Sequence, residues 1–322
     1  MSLGKKIFII GGSGSLGNRM IERFKDSEII CYSRDECKHW QMSLKYSSQK
    51  ITFIIGDIRD KQALTLALLR TQPSTIIIAA ALKHIDRCEY ATAECINTNL
   101  IGVQNVIDAI ELNIAKLPNL NAVCFISTDK ACSPVNAYGM CKALSETLMV
   151  EKSKYHTLVK YVTVRYGNVL NSRGSIIPIL HDKGNDPNCK EFVLTHPDMT
   201  RFIMTLDDSI DLIEHAICNG QSGDIVIPEL SSMKIADLLE IFSEKYNKPV
   251  RVGEIRSGEK ILESLINETQ STRIETVGKY THIRPTYITN SPDYTTAKDY
   301  NSHINPINKN NLSAILAQHN LI

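Results

Sequence analysis

Apolar residues fall into short runs separated by longer amphipathic stretches, and the two alternate through the first half of the chain. Runs at 6–10, 28–32, 51–55, 75–80, 121–127 and 160–166 are rich in Ile and Val and close on Gly, Ser or Asp, which predicts buried strands. The stretches between them repeat apolar positions at helical spacing. Strands alternating with helices predict an α/β fold, a doubly wound parallel sheet covered by helices on both faces. After Gly167 the rhythm loosens. Loops are expected over 168–200, a helix over 202–220, a last strand over 224–227 and a helix over 234–246. A loop at 256–260 and an Asn-rich end (Asn301, Asn305, Asn308, Asn310, Asn311) follow; the latter is compositional and takes no assigned role. Residues 1–167 with 202–230 are predicted to form the sheet domain, and 168–201 with 231–322 a smaller lobe capping it.

In such sheets ligands sit beyond the carboxyl ends of the strands. The residues at those ends are Gly11, Ser33, Asp57, Ala79 to Lys83, and Ser127 to Lys130, so five strand ends converge on one crevice. The first end carries Gly11-Gly12-Ser13-Gly14-Ser15-Leu16-Gly17 and leads into a helical pattern. Strand, glycine turn and helix in that order let the backbone approach a dinucleotide pyrophosphate at a helix N-terminus. Gly11, Gly14, Ser15, Leu16 and Gly17 are therefore candidate cofactor contacts, joined by Ile58, Ala79 and Ala80 at neighbouring strand ends. The second end reads Tyr32-Ser33-Arg34-Asp35-Glu36. A cation and hydroxyl ahead of the acids favour NADP, with Ser33 and Arg34 at its 2′-phosphate; Asp35 and Glu36 keep NAD possible. Asp57 is placed at the adenine amine, although a Gly-Asp-Ile turn uses the same residue.

The fifth end is richest in titratable groups: Ser127-Thr128-Asp129-Lys130, then Tyr138 and Lys142 one helical turn apart. A free tyrosine has a pKa near ~10, and a neighbouring ammonium favours its phenolate. Tyr138 with Lys142 is thus a candidate base, and Asp129 with Lys130 a candidate acid–base pair. A solvated helix face carries Tyr-x-x-x-Lys by chance, so the reading rests on the convergence of strand ends.

Composition narrows the partners. Thirty-six basic against 35 acidic side chains leave a net charge of +1, with no electrostatic case for nucleic acid or an acidic membrane surface. The longest apolar run, Ile76 to Leu82, is too short for a membrane span. The chain opens directly into a strand, which leaves no room for a signal peptide. The nine cysteines include no Cys-x-x-Cys pair, which argues against a disulfide framework or zinc site and for a reducing, cytoplasmic compartment. His84 and His196 have no ligand cluster around them, so no metal is expected.

The glycine string, Asn99 and Tyr138-x-x-x-Lys142 together resemble an extended short-chain dehydrogenase/reductase with a Rossmann domain. Tyr32-Ser33-Arg34-Asp35-Glu36, Ala80-Ala81-Leu82-Lys83-His84, Ser127-Thr128-Asp129-Lys130-Ala131, Arg165-Tyr166-Gly167-Asn168-Val169, Ser172-Arg173-Gly174-Ser175, Met199-Thr200-Arg201-Phe202, Ser232-Met233-Lys234-Ile235 and Ser257-Gly258-Glu259-Lys260 narrow this further. They resemble the inverting UDP-N-acetylglucosamine 4,6-dehydratases (4,6-dehydratase/5-epimerases) of polysaccharide biosynthesis. The resemblance spans residues 11 to about 266, and Lys130 is its deciding residue, since retaining relatives have Glu there. It implies that Tyr138 and Lys142 remove the 4-hydroxyl proton during hydride transfer. It further implies that Lys130, its pKa lowered by burial, takes the C5 proton, and that Asp129 protonates the departing 6-hydroxyl. Thr128 is placed near sugar C4, Lys83 at substrate or ribose, and Asn99 at the cofactor end, where it fixes helix and strand geometry. Asn168, Arg173, Arg201, Arg256 and Glu259 are placed at the diphosphate, uridine or lobe-closing contacts. A UDP-sugar is the implied partner, and a homo-oligomer, dimer or hexamer, the implied assembly. A nucleotide-sugar 4-epimerase or reductase, and a non-catalytic dinucleotide-binding regulator, stand as alternatives.

Overall fold

The computed structural model describes residues 4–156, 158–288 and 294–322. Its frame is a nine-stranded sheet. The first six strands in the chain are β1 (Lys6–Ile10), β2 (Glu28–Ser33), β3 (Ile51–Ile55), β4 (Thr75–Ile78), β5 (Ala122–Ile126) and β6 (Lys160–Val164). They lie in the order β3-β2-β1-β4-β5-β6, followed by Ile225–Pro228, Tyr280–Ile283 and Ile274–Val277. All neighbours from β3 to Ile225–Pro228 pair in parallel. Alternation along each strand fills two separate cores. Ile7, Ile9, Ile29 and Cys31 meet Met20, Ile21 and Ile210 on one face. Phe8, Ile10, Ile30 and Tyr32 meet Leu64, Leu68, Val106 and Ile110 on the other. Both faces are covered, so the fold is the doubly wound α/β class expected. Among the described residues no helix is long and apolar enough to cross a membrane.

Three segments differ from the sequence expectation. Residues 202–220, read as one helix, divide into a strand, Thr200–Met204, and a helix, Leu206–Asn219. Buried Phe202 and Ile203 pair with Ser232–Lys234 and with Asn168–Val169, and a Thr205–Asp208 capping box starts the helix only afterwards. Residues 168–200, expected as loops, contain the helix Ile176–Asn185. The strand at 224–227 is not the last. Ile274–Val277 and Tyr280–Ile283 form an antiparallel hairpin that extends the large sheet beyond it, so residues 231–322 contribute to both sheet and lobe.

The lobe has its own core, where Ile177, Leu180, Phe192, Met233, Leu238 and Phe242 pack together. The Asn-rich end is ordered. Asn308 caps the helix Lys309–Gln318 by accepting from the Asn311 amide, and Leu312 and Leu316 enter the lobe core.

Candidate active site

A cavity of about 1070 Å³ lies beyond the carboxyl ends of β1 to β6, between the sheet and the lobe. It crosses the β1/β4 boundary, the topological switch point of such sheets.

At one end the backbone makes the surface. Gly11 has φ +86, and a Cβ there would stand 2.6 Å from the Ala80 amide nitrogen, so only glycine lets β1 and β4 meet. A Cβ on Gly17 would stand 1.9 Å from the Gly12 carbonyl oxygen, so the helix Ser15–Arg23 begins pressed onto the turn. Gly11, Gly14, Ser15, Leu16, Ile58, Ala79 and Ala80 line the cavity. Gly17 does not; it is buried and closes the turn from behind. The amides of this helix N-terminus form an anion site that fits a dinucleotide pyrophosphate.

Next to it, Ser33 Oγ donates to Ser13 Oγ at 2.9 Å and lies 2.6 Å from His39 Nε2. Asp35 caps the helix Glu36–Lys45 by accepting from the Lys38 amide at 3.0 Å, and it also pairs with Lys38 Nζ. Those two bonds hold its carboxyl below the ordinary range. Arg34 lies 3.6 Å from Asp57, which also accepts from the Arg59 amide at 2.9 Å. Ser13, Ser33, Arg34, Lys38 and Asp57 all line the cavity. Asp35 is committed to its cap, and the side chains of Arg34 and Lys38 both reach this part of the cavity.

Asn99 fixes geometry, as one of its two expected roles, and is not among the residues that line the cavity. It is fully buried in a π-helical turn, Asn97–Ile101, where its amide oxygen accepts from Leu82 N and its amide nitrogen donates to Leu82 O, both at 2.8 Å. It is a clamp on the β4 loop and has no place on the cavity wall. Arg173 lines the cavity with the other candidate substrate contacts. Its amide donates to Ser15 Oγ at 3.0 Å and its carbonyl accepts from Lys83 Nζ, so its loop bridges the glycine turn and the β4 loop. Burial lowers the Lys83 pKa, and Arg173 lowers it further.

The charged end is built on β5 and the helix Ala137–Tyr155, whose N-cap Asn136 accepts from the Gly139 amide at 2.8 Å. Thr128, Lys130, Tyr138 and Lys142 line the cavity. Asp129 lies just beneath them, fully buried; its Oδ1 accepts from Thr128 Oγ1 at 2.9 Å and from Lys130 Nζ at 3.0 Å. Its Oδ2 has no hydrogen-bond partner among the described residues. Burial raises the Asp129 carboxyl, and nearby Glu263 adds to the rise against Lys130. A buried carboxyl with one free oxygen and a raised pKa is suited to carry a proton.

Two expectations about the lysines are corrected. Burial does pull Lys130 down, but Asp129 and Glu263 outweigh it and hold the ammonium above its usual range. Lys142, not Lys130, is the depressed lysine. Burial brings it to about 8, against a smaller opposing pull from Glu146. Its Nζ donates to the Ile126 carbonyl at 2.8 Å and lies 4.5 Å from the centre of the Phe125 ring. Tyr138 is pushed up to about 12 by burial, and the cation that works against that rise is Lys130.

The lobe closes the far side. Arg201 is buried and donates to the carbonyls of Thr200 at 2.7 Å and Lys260 at 2.9 Å, fastening its strand to the 256–260 loop. Arg256 and Glu259 pair with each other at the cavity rim, and Asn168 lines the wall. Ile179, Phe192, Val193, Met199, Ile235 and Leu239 give this end an apolar lining. Two contributors escaped the sequence reading: Lys38 on the cavity wall beside Ser33 and Arg34, and Glu263 facing Lys130 at 3.4 Å. The signal for Glu263 was present as one acid inside the apolar run Ile261-Leu262-Glu263-Ser264-Leu265-Ile266. Among the described residues there is no group of His, Cys, Asp or Glu arranged to hold a metal.

Residues 7–285 match the model of a polysaccharide biosynthesis protein family. A UDP-N-acetylglucosamine 4,6-dehydratase (inverting) from Campylobacter jejuni subsp. jejuni (serotype O:23/36) is 38% identical over 274 residues, covering 83% of this chain and 79% of its own. A UDP-glucose 4-epimerase from Rickettsia canadensis is 37% identical over 295 residues, covering 88% and 84%. Among solved structures, that of Pen from Bacillus thuringiensis superposes with a TM-score of 0.89 at 27% identity, covering 99% of this chain and 98% of that one.

Proposed function

The chain belongs to the polysaccharide biosynthesis protein family of extended short-chain dehydrogenases/reductases, and we propose that it is an NADP-dependent inverting 4,6-dehydratase acting on UDP-N-acetylglucosamine. The observation that carries this reading is the Asp129–Lys130 pair, set 3.0 Å apart in the strand-end cluster that includes Tyr138. A 4-epimerase or a reductase needs a base at the 4-hydroxyl but has no use for a second acid–base pair. The relative called inverting supports the same choice; the relative called an epimerase keeps the alternative in play.

Bound NADP would supply reversible hydride-transfer chemistry with no net consumption. Ser33, Arg34 and Lys38 would hold its 2′-phosphate, and the glycine turn its pyrophosphate. The apolar end lined by Phe192, Val193 and Leu239 takes the uracil, with Arg256 near the sugar-nucleotide diphosphate. Tyr138 accepts the 4-hydroxyl proton, helped by the charge of Lys130 that opposes its raised pKa. The resulting 4-ketone acidifies the C5 proton. Lys130 takes that proton from the form in which its own resting proton has moved to a carboxylate beside it. Asp129 donates to the departing 6-hydroxyl through the oxygen left without a partner. Lys130 then returns the C5 proton to Asp129 across 3.0 Å. The proton taken from O4 balances the one C5 regains on its opposite face. The half-exposed Met140 and Leu144 on the outer side of the Tyr138 helix suit a homo-oligomeric contact in the same reading.

The test is NMR of UDP-N-acetylglucosamine incubated with the NADP-loaded protein in deuterated water. A new C6 methyl, a 4-ketone or its hydrate, and deuterium at an inverted C5 without added reductant are expected. C4 inversion with an intact 6-hydroxymethyl group would establish the epimerase instead, and retained C5 configuration would remove Lys130 from the base role.

A further inference from the structure

We propose that Glu263 is a positioning residue for Lys130: the counter-ion that fixes where its amine lies and sets the pH at which it becomes a base. The proposal rests on the dehydratase reading for its catalytic meaning, but the charge relation itself is a property of the folded chain.

The geometry is specific. Glu263 is 1% exposed and stands directly before the strand Ser264–Ile266. Its backbone is pinned on both sides by Ser302: its amide donates to Ser302 Oγ at 3.0 Å and its carbonyl accepts from the Ser302 amide at 2.8 Å. The same strand is tied to β6, because the Leu265 carbonyl accepts from buried Arg165 at 2.6 Å. The carboxylate is therefore delivered to the strand-end cluster by a rigid segment. Its Oε1 lies 3.4 Å from Lys130 Nζ and its Oε2 lies 3.1 Å from Lys260 Nζ.

Among the described residues six charged or titratable groups face Lys130 or its partners: Asp129 from its own turn, Glu263 before the lobe strand, Lys260 from the loop, Arg201 from the strand Thr200–Met204, Arg165 just after β6, and Tyr138 from the helix. The other three cations have further partners, Arg165 being paired with Glu146. Lys260 donates to the Cys132 carbonyl at 3.0 Å, and Arg201 to three backbone carbonyls. Lys130 has only Asp129 and Glu263 among the described residues. The two carboxyls are not alike. Burial raises Asp129. Burial also pushes Glu263 up, but Lys130, Arg201 and Lys260 outweigh it and hold it below the usual range. Of the two, Glu263 is thus the readier to hold the negative charge and Asp129 the readier to take a proton. A buried counter-ion 3.4 Å from the Lys130 amine places it and raises its proton affinity, so it decides what fraction of the enzyme holds a free base at a given pH.

The test uses the full chain with lysine labelled at its ε-carbon with ¹³C. The Lys130 signal is assigned by its loss in Lys130→Met and followed by NMR against pH. In the wild type its midpoint should lie above the ordinary ~10.4. In Glu263→Gln it should fall by about 1–3 units. Glu263→Asp keeps the charge but shortens the reach, and it should fall between the two. It also serves as the deciding variant if Glu263→Gln does not fold. A midpoint unmoved in both variants, or in Glu263→Asp alone where Gln cannot be prepared, would overturn the proposal. In the sugar reaction the acidic limb of C5 deuterium exchange should shift downward with the NMR midpoint, which a purely structural role would not produce. A wild-type protein that incorporates no deuterium at C5 defeats the dehydratase reading, and the NMR titration still judges Glu263.

Discussion

Lys130 and Lys142 open onto the same cavity, Lys142 buried and Lys130 mostly so, yet their pKa values shift in opposite directions. Lys142 sits against a neutral wall: a carbonyl at 2.8 Å and the face of Phe125. Desolvation has no strong opponent there, and the ammonium is depressed to about 8. Lys130 sits between two carboxylates at 3.0 and 3.4 Å, and their attraction exceeds the cost of burial. Burial alone therefore does not make a lysine a base; what it faces decides the sign. One crevice holds a lysine ready to lose its proton near neutrality and another that keeps it until the cluster rearranges.

The largest expected effect comes from removing the second lysine. Lys130→Met should lower C5 deuterium exchange by about 10²–10⁴-fold, the usual contribution of a positioned acid or base. Oxidation at C4 should continue through Tyr138, slowed by the loss of the charge that opposes its raised pKa, and NADPH absorbance should accumulate. Wild-type exchange in this variant would show that the comparison has assigned the wrong lysine to C5.

A smaller effect tests the neutral wall. In the folded protein Lys142 loses its proton near pH 8, whereas the unfolded chain keeps it to near 10.5. Between those values the unfolded state binds the extra proton, so folding stability rises with pH across this window and falls back as pH drops towards 8. Lys142→Met has no such proton. The stability of the wild type relative to this variant should therefore increase on the order of 2–3 kcal/mol between pH 8 and 10.5. Urea unfolding of both proteins at the two ends of the window measures it. A difference independent of pH would mean that Lys142 is not depressed.

How much of this was legible depends on how local the determinants are. The glycine turn, Asp129-Lys130 and Tyr138-x-x-x-Lys142 each act within a few residues of themselves, so spacing alone brought them to one crevice. Their electrostatics did not follow, because Lys130 takes its charge state partly from Glu263, which reaches it through the lobe strand Ser264–Ile266. The helix pattern over 202–220 hid the strand Thr200–Met204, since Phe202, Ile203 and Met204 run into the helix without a polar break other than Thr205. The hairpin Ile274–Val277 and Tyr280–Ile283 was missed because its outer strand is exposed and partly polar. Asn99 was expected both at the cofactor and as a fixer of helix and strand geometry; its two bonds to Leu82 match the second role and supply the partner that spacing could not name.

A third lysine on the same cavity completes the series and carries the smallest effect. Lys38 is 39% exposed on its side chain and pairs with Asp35, which is itself held by the helix cap. It has a carboxylate partner, like Lys130, but solvent screens the pair. Its use is positional: with Arg34 and Ser33 it presents cations and a hydroxyl where a 2′-phosphate would lie. Lys38→Ala should weaken NADP binding by a few-fold, the equivalent of about 0.5–1 kcal/mol for an exposed charge contact. NAD binding should be unchanged, because NAD has no phosphate there. Titrating both cofactors by fluorescence into wild type and variant reads the two affinities. Equal losses for NADP and NAD would place Lys38 on the shared part of the dinucleotide, and the preference would then rest on Arg34 and Ser33.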